Sequence, residues 1–432
     1  MKLCDVSNDV LLLIFRELLA ADMSAKDMFR QTLGLLDICR RLRCAALPVA
    51  YECIFIHCDD EHGRSNGGIQ ITTNLDLAVS AGCVGLAKRV QLHVGYHIDP
   101  LPSLRAVCRM LGTGGVQLEG VGSLEVTLES RLTHTIHTLV GIPGAIGGAL
   151  EVAGLLADAL PGIHRLVFDG RTLHSIAQMV LGQLASKYAE QLQELETGCA
   201  TPLQKLHFPN LEALTIRGYG IFDPFMRAAV LPSHMKEVNL TVDTPNAWAL
   251  PTTRRLKLSV DSSNVGVAAA SRMVDAAAGS KNRELYVEEV ATPFDPDIIR
   301  CSTLTRLDIM PETDIATILE IIEKLPLLVD LRVYEAAMQG AMPDLAIPGP
   351  NDAEVVEPLE TKLERLTIYA NPEPDTEDEM VVAAKYFLLR VPSMVKFSMP
   401  WLPPQPMLDF IDEYAPRYPH LATVVFSSPL EP

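Results

Sequence analysis

Six basic residues occupy one recurring position in this chain, directly before a short apolar-x-apolar phrase. They are Arg89, Arg165, Arg255, Arg306, Arg365 and Lys396. An arginine guanidinium binds carboxylate and phosphate groups through two parallel hydrogen bonds. The pattern therefore predicts a surface that binds an acidic or phosphorylated partner protein.

Three tyrosines and one further arginine fall in or beside the same phrases. They are Tyr286, Arg332, Tyr334 and Tyr369. Because Tyr and Arg often dominate the binding energy of protein interfaces, we expect them to contribute to partner binding. The alternative is a solvated face with ion pairs between strands. That alternative is favoured by acidic residues at equivalent or adjacent positions, namely Glu237, Glu284, Asp308 and Asp330.

Catalytic and metal-binding patterns are weak in this sequence. Cys39, Cys44, Cys53 and Cys58 lie near His57 and His62, but structural zinc sites usually place their cysteine pairs on turns, whereas Cys39 and Cys44 fall in a predicted amphipathic helix with Cys39 on its buried face. No H-E-x-x-H or Walker-type phosphate motif occurs, and the G-x-S-x-G string from Gly63 to Gly67 is not followed by a predicted helix, as a nucleophile elbow requires. We therefore expect no catalytic residue, no metal and no cofactor. An enzyme assembled from residues distant in sequence is the remaining catalytic alternative.

The composition of the chain restricts its partners and its compartment. The 432 residues carry a formal charge of -18, which argues against nucleic acid as a partner because phosphate binding depends on clusters of Lys and Arg. The nine scattered cysteines favour a reducing compartment, the cytoplasm or the nucleus. The most apolar long stretch, from Leu139 to Leu160, is interrupted by Pro143, Glu151 and Asp158, so we expect no membrane span.

The apolar-x-apolar phrases predict the elements that position these residues. They recur about every 20 to 45 residues with helix-forming sequence between them, which is typical of an α/β leucine-rich-repeat solenoid, a horseshoe. Alternation along each strand would place the apolar side chains inside and the basic residues on the concave face. A doubly wound parallel sheet is the alternative fold. Against it, Gly112 to Gly115 and Gly144 to Gly148 do not match the dinucleotide-binding glycine motif.

The first residues of the chain predict short amphipathic helices. Ser7 can cap a helix whose apolar residues Leu11, Ile14 and Leu18 recur at helical spacing. A second helix is predicted around Leu35 to Leu42, ending at Pro48.

Three segments in this region together resemble an F-box: 8–15, 35–43 and 46–51. The resemblance implies a small all-α domain that binds the S-phase-kinase-associated adaptor and, through it, the cullin of a ubiquitin ligase. It assigns the adaptor contact to Val6, Val10, Leu11, Ile14, Leu36 and Leu42. The alternative is that these residues form the core of a helical cap that covers the first strand.

These observations together predict two domains and a binding function. Residues 1–56 would form the F-box-like helical domain, and residues 57–432 the repeat domain, with acidic, proline-rich loops near 340–360 and 371–379. The protein would be the substrate-recognition subunit of a cullin-type ubiquitin ligase, binding an acidic or phosphorylated target through its repeats. The alternative is a non-catalytic interaction scaffold that has no association with a ligase.

Overall fold

The chain forms two compact units. The first comprises Met1–Gly218 and Ala228–Pro232, and the second comprises Tyr219–Arg227 and Ser233–Pro432. The computed structural model describes residues 7, 10–13, 27, 29–30, 32, 40–60, 69–96, 99–113, 118–130, 145–169, 175–198, 206–217, 235–242, 253–260, 284–288, 304–337, 347–350, 356–370, 377–399 and 404–426.

The first unit is built on a largely parallel sheet. Its described helices are α1 (Arg40–Tyr51), α2 (Leu75–Ser80), α3 (Leu101–Thr113), α4 (Ala145–Ala159) and α5 (Ser175–Tyr188). Its strands are β1 (Cys53–Asp60), β2 (Ile69–Thr73), β3 (Arg89–Tyr96), β4 (Ser123–Ser130), β5 (Arg165–Asp169), β6 (Glu194–Thr197) and β7 (Ala213–Ile216). The strand order is β2-β1-β3-β4-β5-β6-β7, and among these pairs only β1 and β2 are antiparallel.

The second unit contains a parallel sheet with the order β8 to β15. Its strands are β8 (Glu237–Val242), β9 (Arg255–Val260), β10 (Glu284–Glu288), β11 (Arg306–Asp314), β12 (Asp330–Ala337), β13 (Arg365–Ala370), β14 (Lys396–Ser398) and β15 (Val425–Phe426). Its described helices are α6 (Ile315–Lys324), α7 (Glu377–Arg390) and α8 (Pro404–Tyr414).

Alternation of side chains along the strands separates a core face from a polar face. In β5, Leu166 and Phe168 are buried, whereas Arg165, Val167 and Asp169 are partly exposed. Because successive strand residues point to opposite faces, the apolar-x-apolar phrase places two side chains in the core. Burial of each Leu or Phe side chain contributes about 1.5–3 kcal/mol, so this pattern sets the orientation of every strand.

Helices cover the core face. Helix α6 begins after Asp314, whose carboxylate accepts a 2.7 Å hydrogen bond from the Thr317 backbone N–H. Its buried residues Ile315, Ile318 and Ile322 recur at helical spacing. From β3 to β7 and from β8 to β15, neighbours in the sheet are also neighbours in sequence, whereas a doubly wound sheet reverses its order at a switch point. We infer that right-handed crossovers place the described helices of each unit on one face of its sheet, and that these described helices leave the polar face uncovered.

The prediction of a separate all-α domain at the N-terminus is wrong for the residues that the structure describes. Helix α1 continues through Pro48 to Tyr51 and is followed after one residue by β1. The ring of Phe29 packs edge-to-face against Tyr51 at 5.6 Å and against Phe55 of β1 at 5.7 Å between centroids. The helical segment is therefore part of the first α/β unit, because its apolar side chains complete the packing around the first strand.

The predicted leucine-rich-repeat horseshoe is also wrong. A leucine-rich repeat spans roughly 20 to 29 residues, whereas β3 has 8 residues, α3 has 13, and a further connection still precedes β4. Helix α4 has 15 residues, and β2 adds an antiparallel strand at the edge of the sheet. The chain forms two α/β units on largely parallel sheets, with connections of unequal length in place of one repeated unit.

Asn74 joins the start of α2 to the first strand. Its side chain is fully buried and accepts a 3.0 Å hydrogen bond from the Phe55 N–H. Its amide nitrogen donates a 3.0 Å hydrogen bond to the Cys53 carbonyl. One side chain thus satisfies two polar backbone groups of β1.

We expect Asn74→Ala to lower the free energy of unfolding by about 2–4 kcal/mol, because two buried backbone groups lose their partners. Denaturant unfolding of the full chain measures this change. The control is Asn210→Ala, which removes one exposed side chain that donates to the Glu190 carbonyl and should cost about 1 kcal/mol or less. Equal effects of the two substitutions would contradict the role assigned to Asn74.

Candidate polar-face binding site

Parallel pairing aligns the predicted binding residues in rows across the polar face. In the second unit, residues at the starts of consecutive strands lie directly opposite one another. We call this set the charged row: Glu237, Arg255, Glu284, Arg306, Asp330, Arg365 and Lys396. Acidic and basic residues alternate along it as far as Arg365. Opposite charges on directly opposed strand residues attract, so the row is a set of cross-strand ion pairs.

Arg255 lies between two acidic neighbours of the charged row. Its guanidinium is 3.0 Å from a carboxylate oxygen of Glu284 and 3.4 Å from one of Glu237. The hydrogen bond with Glu284 is the main cause that raises the pKa of Arg255 above its ordinary value. Carboxylates of the same sheet therefore neutralise the positive charge of Arg255.

Arg165 has a similar environment in the first unit. Its side chain lies 3.2 Å from Glu125 and 3.0 Å from Glu194, on the strands to either side. A third contact joins it to the Ser123 hydroxyl at 3.4 Å. The alternative of ion pairing between strands accounts for the positions of Arg165 and Arg255.

Arg89 occupies the same register position, between Cys53 and Ser123 on the neighbouring strands. Its Nε atom is buried and has no hydrogen-bond partner among the described residues. Burial raises the pKa of the Cys53 thiol to about 11, although the Arg89 guanidinium opposes that shift. At neutral pH this cysteine is therefore a thiol, which is a poor nucleophile.

Three arginines converge on the buried carboxylate of Asp330. We call Arg306, Arg332 and Arg365 the arginine cluster; they lie 3.9, 3.7 and 3.4 Å from the Asp330 oxygens. Arg306 also forms hydrogen bonds of 3.0 and 3.2 Å with Asp308. The Asp330 side chain is only 4% exposed, whereas those of Arg332 and Arg365 are 37% and 54% exposed. The aspartate anchors the cluster from below, and solvent reaches the two outer guanidinium groups.

Two of the predicted tyrosines are in contact on the same face. Tyr334 of β12 and Tyr369 of β13 stack with their ring centroids 5.1 Å apart and their planes 5° apart. They follow Arg332 and Thr367 by two residues, so they border the arginine cluster. Tyr286 belongs to β10 and lies opposite Lys257 and Asp308 in the register. The structure thus brings four predicted residues together on β12 and β13: Arg332, Tyr334, Arg365 and Tyr369.

A pair of stacked histidines on the polar face of the first unit was not predicted from the sequence. His57 and His93 lie opposite each other on β1 and β3, with ring centroids 4.5 Å apart. Each Nε2 atom is near a carboxylate, at 3.0 Å from Asp59 and 3.3 Å from Glu129. Strand β1 continues past Ile56, so the alternation of its side chains places His57 on the polar face.

The structure describes some of the predicted adaptor-binding residues. Ser7 caps a helical turn, since its Oγ accepts a 3.3 Å hydrogen bond from the Val10 N–H. Val10 is exposed and Leu11 is fully buried. Val6, Ile14, Leu36 and the side chain of Leu42 lie outside the described residues.

The described residues show neither a metal site nor a membrane-spanning helix. No group of three or more His, Cys, Asp or Glu side chains within the described ranges is arranged to hold a metal ion. No described helix is both long enough and apolar enough to cross a membrane. The described cysteines form no disulfide with one another.

Comparisons with known proteins add no assignment. The chain matches no protein-family model, and no curated protein matches it.

Removal of the charge on Asp330 tests whether it organises the arginine cluster. We expect Asp330→Asn to lower the free energy of unfolding by about 3 kcal/mol, because three guanidinium groups would lose their buried counter-charge. Glu237→Gln, at an exposed end of the charged row, should cost at most about 1 kcal/mol. Denaturant unfolding compares the two. A loss at Asp330 no larger than that at Glu237 would show that the cluster does not depend on the buried charge.

The histidine pair predicts a pH-dependent stability. Burial, and then the charge on His57, lower the pKa of His93 from its ordinary value, although Glu129 and Asp59 oppose this. As the pH falls below about 6.5, the ordinary value for His in the unfolded chain, the unfolded state therefore binds more protons and stability decreases. We expect His93→Gln to flatten this decrease, and His207→Gln, at an exposed residue, to leave it unchanged. Urea unfolding at several pH values measures both, and identical slopes for all three proteins would exclude the effect.

Proposed function

We propose that this protein is a non-catalytic protein-binding subunit that recruits a target protein to a cullin-type ubiquitin ligase. The polar face would bind the target, and the N-terminal helical segment would bind the S-phase-kinase-associated adaptor. The protein would act in the cytoplasm or nucleus and would contribute by holding the target close to the ubiquitin-charged enzyme.

The observation that carries this proposal is an exposed apolar pair in the segment that resembles an F-box. Val10 and Leu13 are 44% and 58% exposed. They are three residues apart in a helical turn, so their side chains lie on the same face. Apolar side chains on one helix face are a common way to bind a partner protein.

A second candidate function is a protein-interaction scaffold that binds no ligase. The burial of Leu11 and the packing of Phe29 on Phe55 favour it, because both show that residues of the N-terminal segment cover their own unit. In that case Val10 and Leu13 would bind no adaptor, and the protein would act only by binding a target through its polar face.

Binding of purified adaptor to the full chain distinguishes the two candidates. We expect saturable binding by the wild type and a loss of at least about tenfold in affinity for Val10→Asp combined with Leu13→Asp, because charges in an apolar contact lose their hydration. Isothermal titration calorimetry measures both affinities.

The matched control is Leu150→Asp combined with Leu155→Asp, at exposed leucines of α4. This variant carries the same added charge and should bind the adaptor as the wild type does. All variants are checked by circular dichroism for an intact fold. If the folded wild type does not bind the adaptor, the scaffold is the better account.

A further inference from the structure

The alternation of charge along the charged row ends at its last strand pair. Arg255 has a carboxylate on each side, from Glu237 and Glu284. Arg365 has Asp330 on one side at 3.4 Å, but the residue directly opposite it on the other side is Lys396. Two like charges on directly opposed strand residues destabilise a sheet. The row therefore lacks one negative charge at this end.

The described residues do not supply that charge. Within the part of the chain that the structure describes, no carboxylate forms an ion pair with Lys396, which is exposed on β14. The Arg365 side chain is 54% exposed and retains donors beyond the one directed at Asp330. Solvent or a bound molecule can therefore reach both groups from the polar face.

The surroundings of this pair extend the positive surface. Arg332, the other exposed member of the arginine cluster, shares Asp330 with Arg365. Asp330 is buried below them, so the cluster presents its guanidinium groups outward and its counter-charge inward. The stacked rings of Tyr334 and Tyr369 border the cluster and offer aromatic area that a bound segment can contact. A segment bound there would exclude water from the cluster, and the exclusion of water strengthens charge-assisted hydrogen bonds.

We propose that Arg365, Lys396 and Arg332 bind an acidic segment of a partner protein, and that a carboxylate or phosphate of this segment bridges Arg365 and Lys396. This proposal specifies the chemistry of the bound segment. It rests on the proposed function only in identifying the partner as the target protein. The bound anion supplies the negative charge that the alternation lacks. A chain of formal charge -18 repels acidic peptides elsewhere on its surface, so saturable binding of such a peptide requires a local positive site.

The test uses the full chain and a fluorescein-labelled hexaglutamate peptide, followed by fluorescence anisotropy. We expect saturable binding that weakens as salt is added, and at least about a tenfold weaker affinity for Arg365→Ala and for Lys396→Ala, because each loses a charge-assisted contact. Arg255→Ala is the matched control, since it removes an arginine of the same row that has acidic neighbours on both sides. It should change the affinity less than about twofold.

Lys396→Glu separates binding from any structural role of Lys396. It places an acidic residue opposite Arg365 and completes the alternation, so the melting temperature should rise while hexaglutamate binding is lost. A lower melting temperature, or binding that is retained, would overturn the proposal.

Three further probes define the ligand. Hexaglutamine should not bind, and a phosphoserine peptide that binds more tightly than hexaglutamate would identify phosphate as the preferred anion. Tighter binding of oligothymidylate than of either peptide would overturn the proposal in favour of a nucleic-acid site, as would the absence of saturable hexaglutamate binding. The assay contains no adaptor, so a failure of adaptor docking would leave its result unchanged.

Discussion

The distance between neighbouring parallel strands, about 4.8 Å, is the constraint on which the rest of this structure depends. It places residues of equal register side by side, so each row across a sheet must be mutually compatible in size and charge. Apolar rows such as that of Leu307, Leu331 and Leu366 form the core. Charged rows on the other face must alternate in sign, or a group outside the row must supply the opposite charge.

This constraint explains why most of the predicted binding arginines are paired within the sheet. Exposed pairs such as those of Arg255 contribute at most about 1 kcal/mol each, so they prevent repulsion more than they add stability. Asp330 differs because it is buried beneath three arginines. A buried carboxylate without those partners would be strongly unfavourable, so the aspartate and the arginine cluster depend on each other.

The same constraint separates two kinds of basic residue that look alike in sequence. Arg255 and Arg365 both precede an apolar-x-apolar phrase, yet only Arg255 has acidic neighbours on both sides. The cross-strand neighbours thus favour a structural role for Arg255 and a binding role for Arg365. The exposed apolar pair of Val10 and Leu13 is a different surface with a different chemistry, suited to another partner. Under the proposed function, the two surfaces bind different partners.

The sequence by itself determined most of the strands with their buried residues and the helix cap at Ser7, because these follow from local alternation, helical spacing and a short hydrogen bond. Strands β2 and β6 were not predicted. The sequence also placed Arg332, Tyr334, Arg365 and Tyr369 on the strand face opposite the apolar core residues. It did not determine the repeat-free connections, the packing of Phe29 on Phe55 or the stacking of His57 on His93. Those depend on which strands pair and in which register, and contacts between residues far apart in sequence decide both. Only the tertiary structure, therefore, placed Lys396 opposite Arg365.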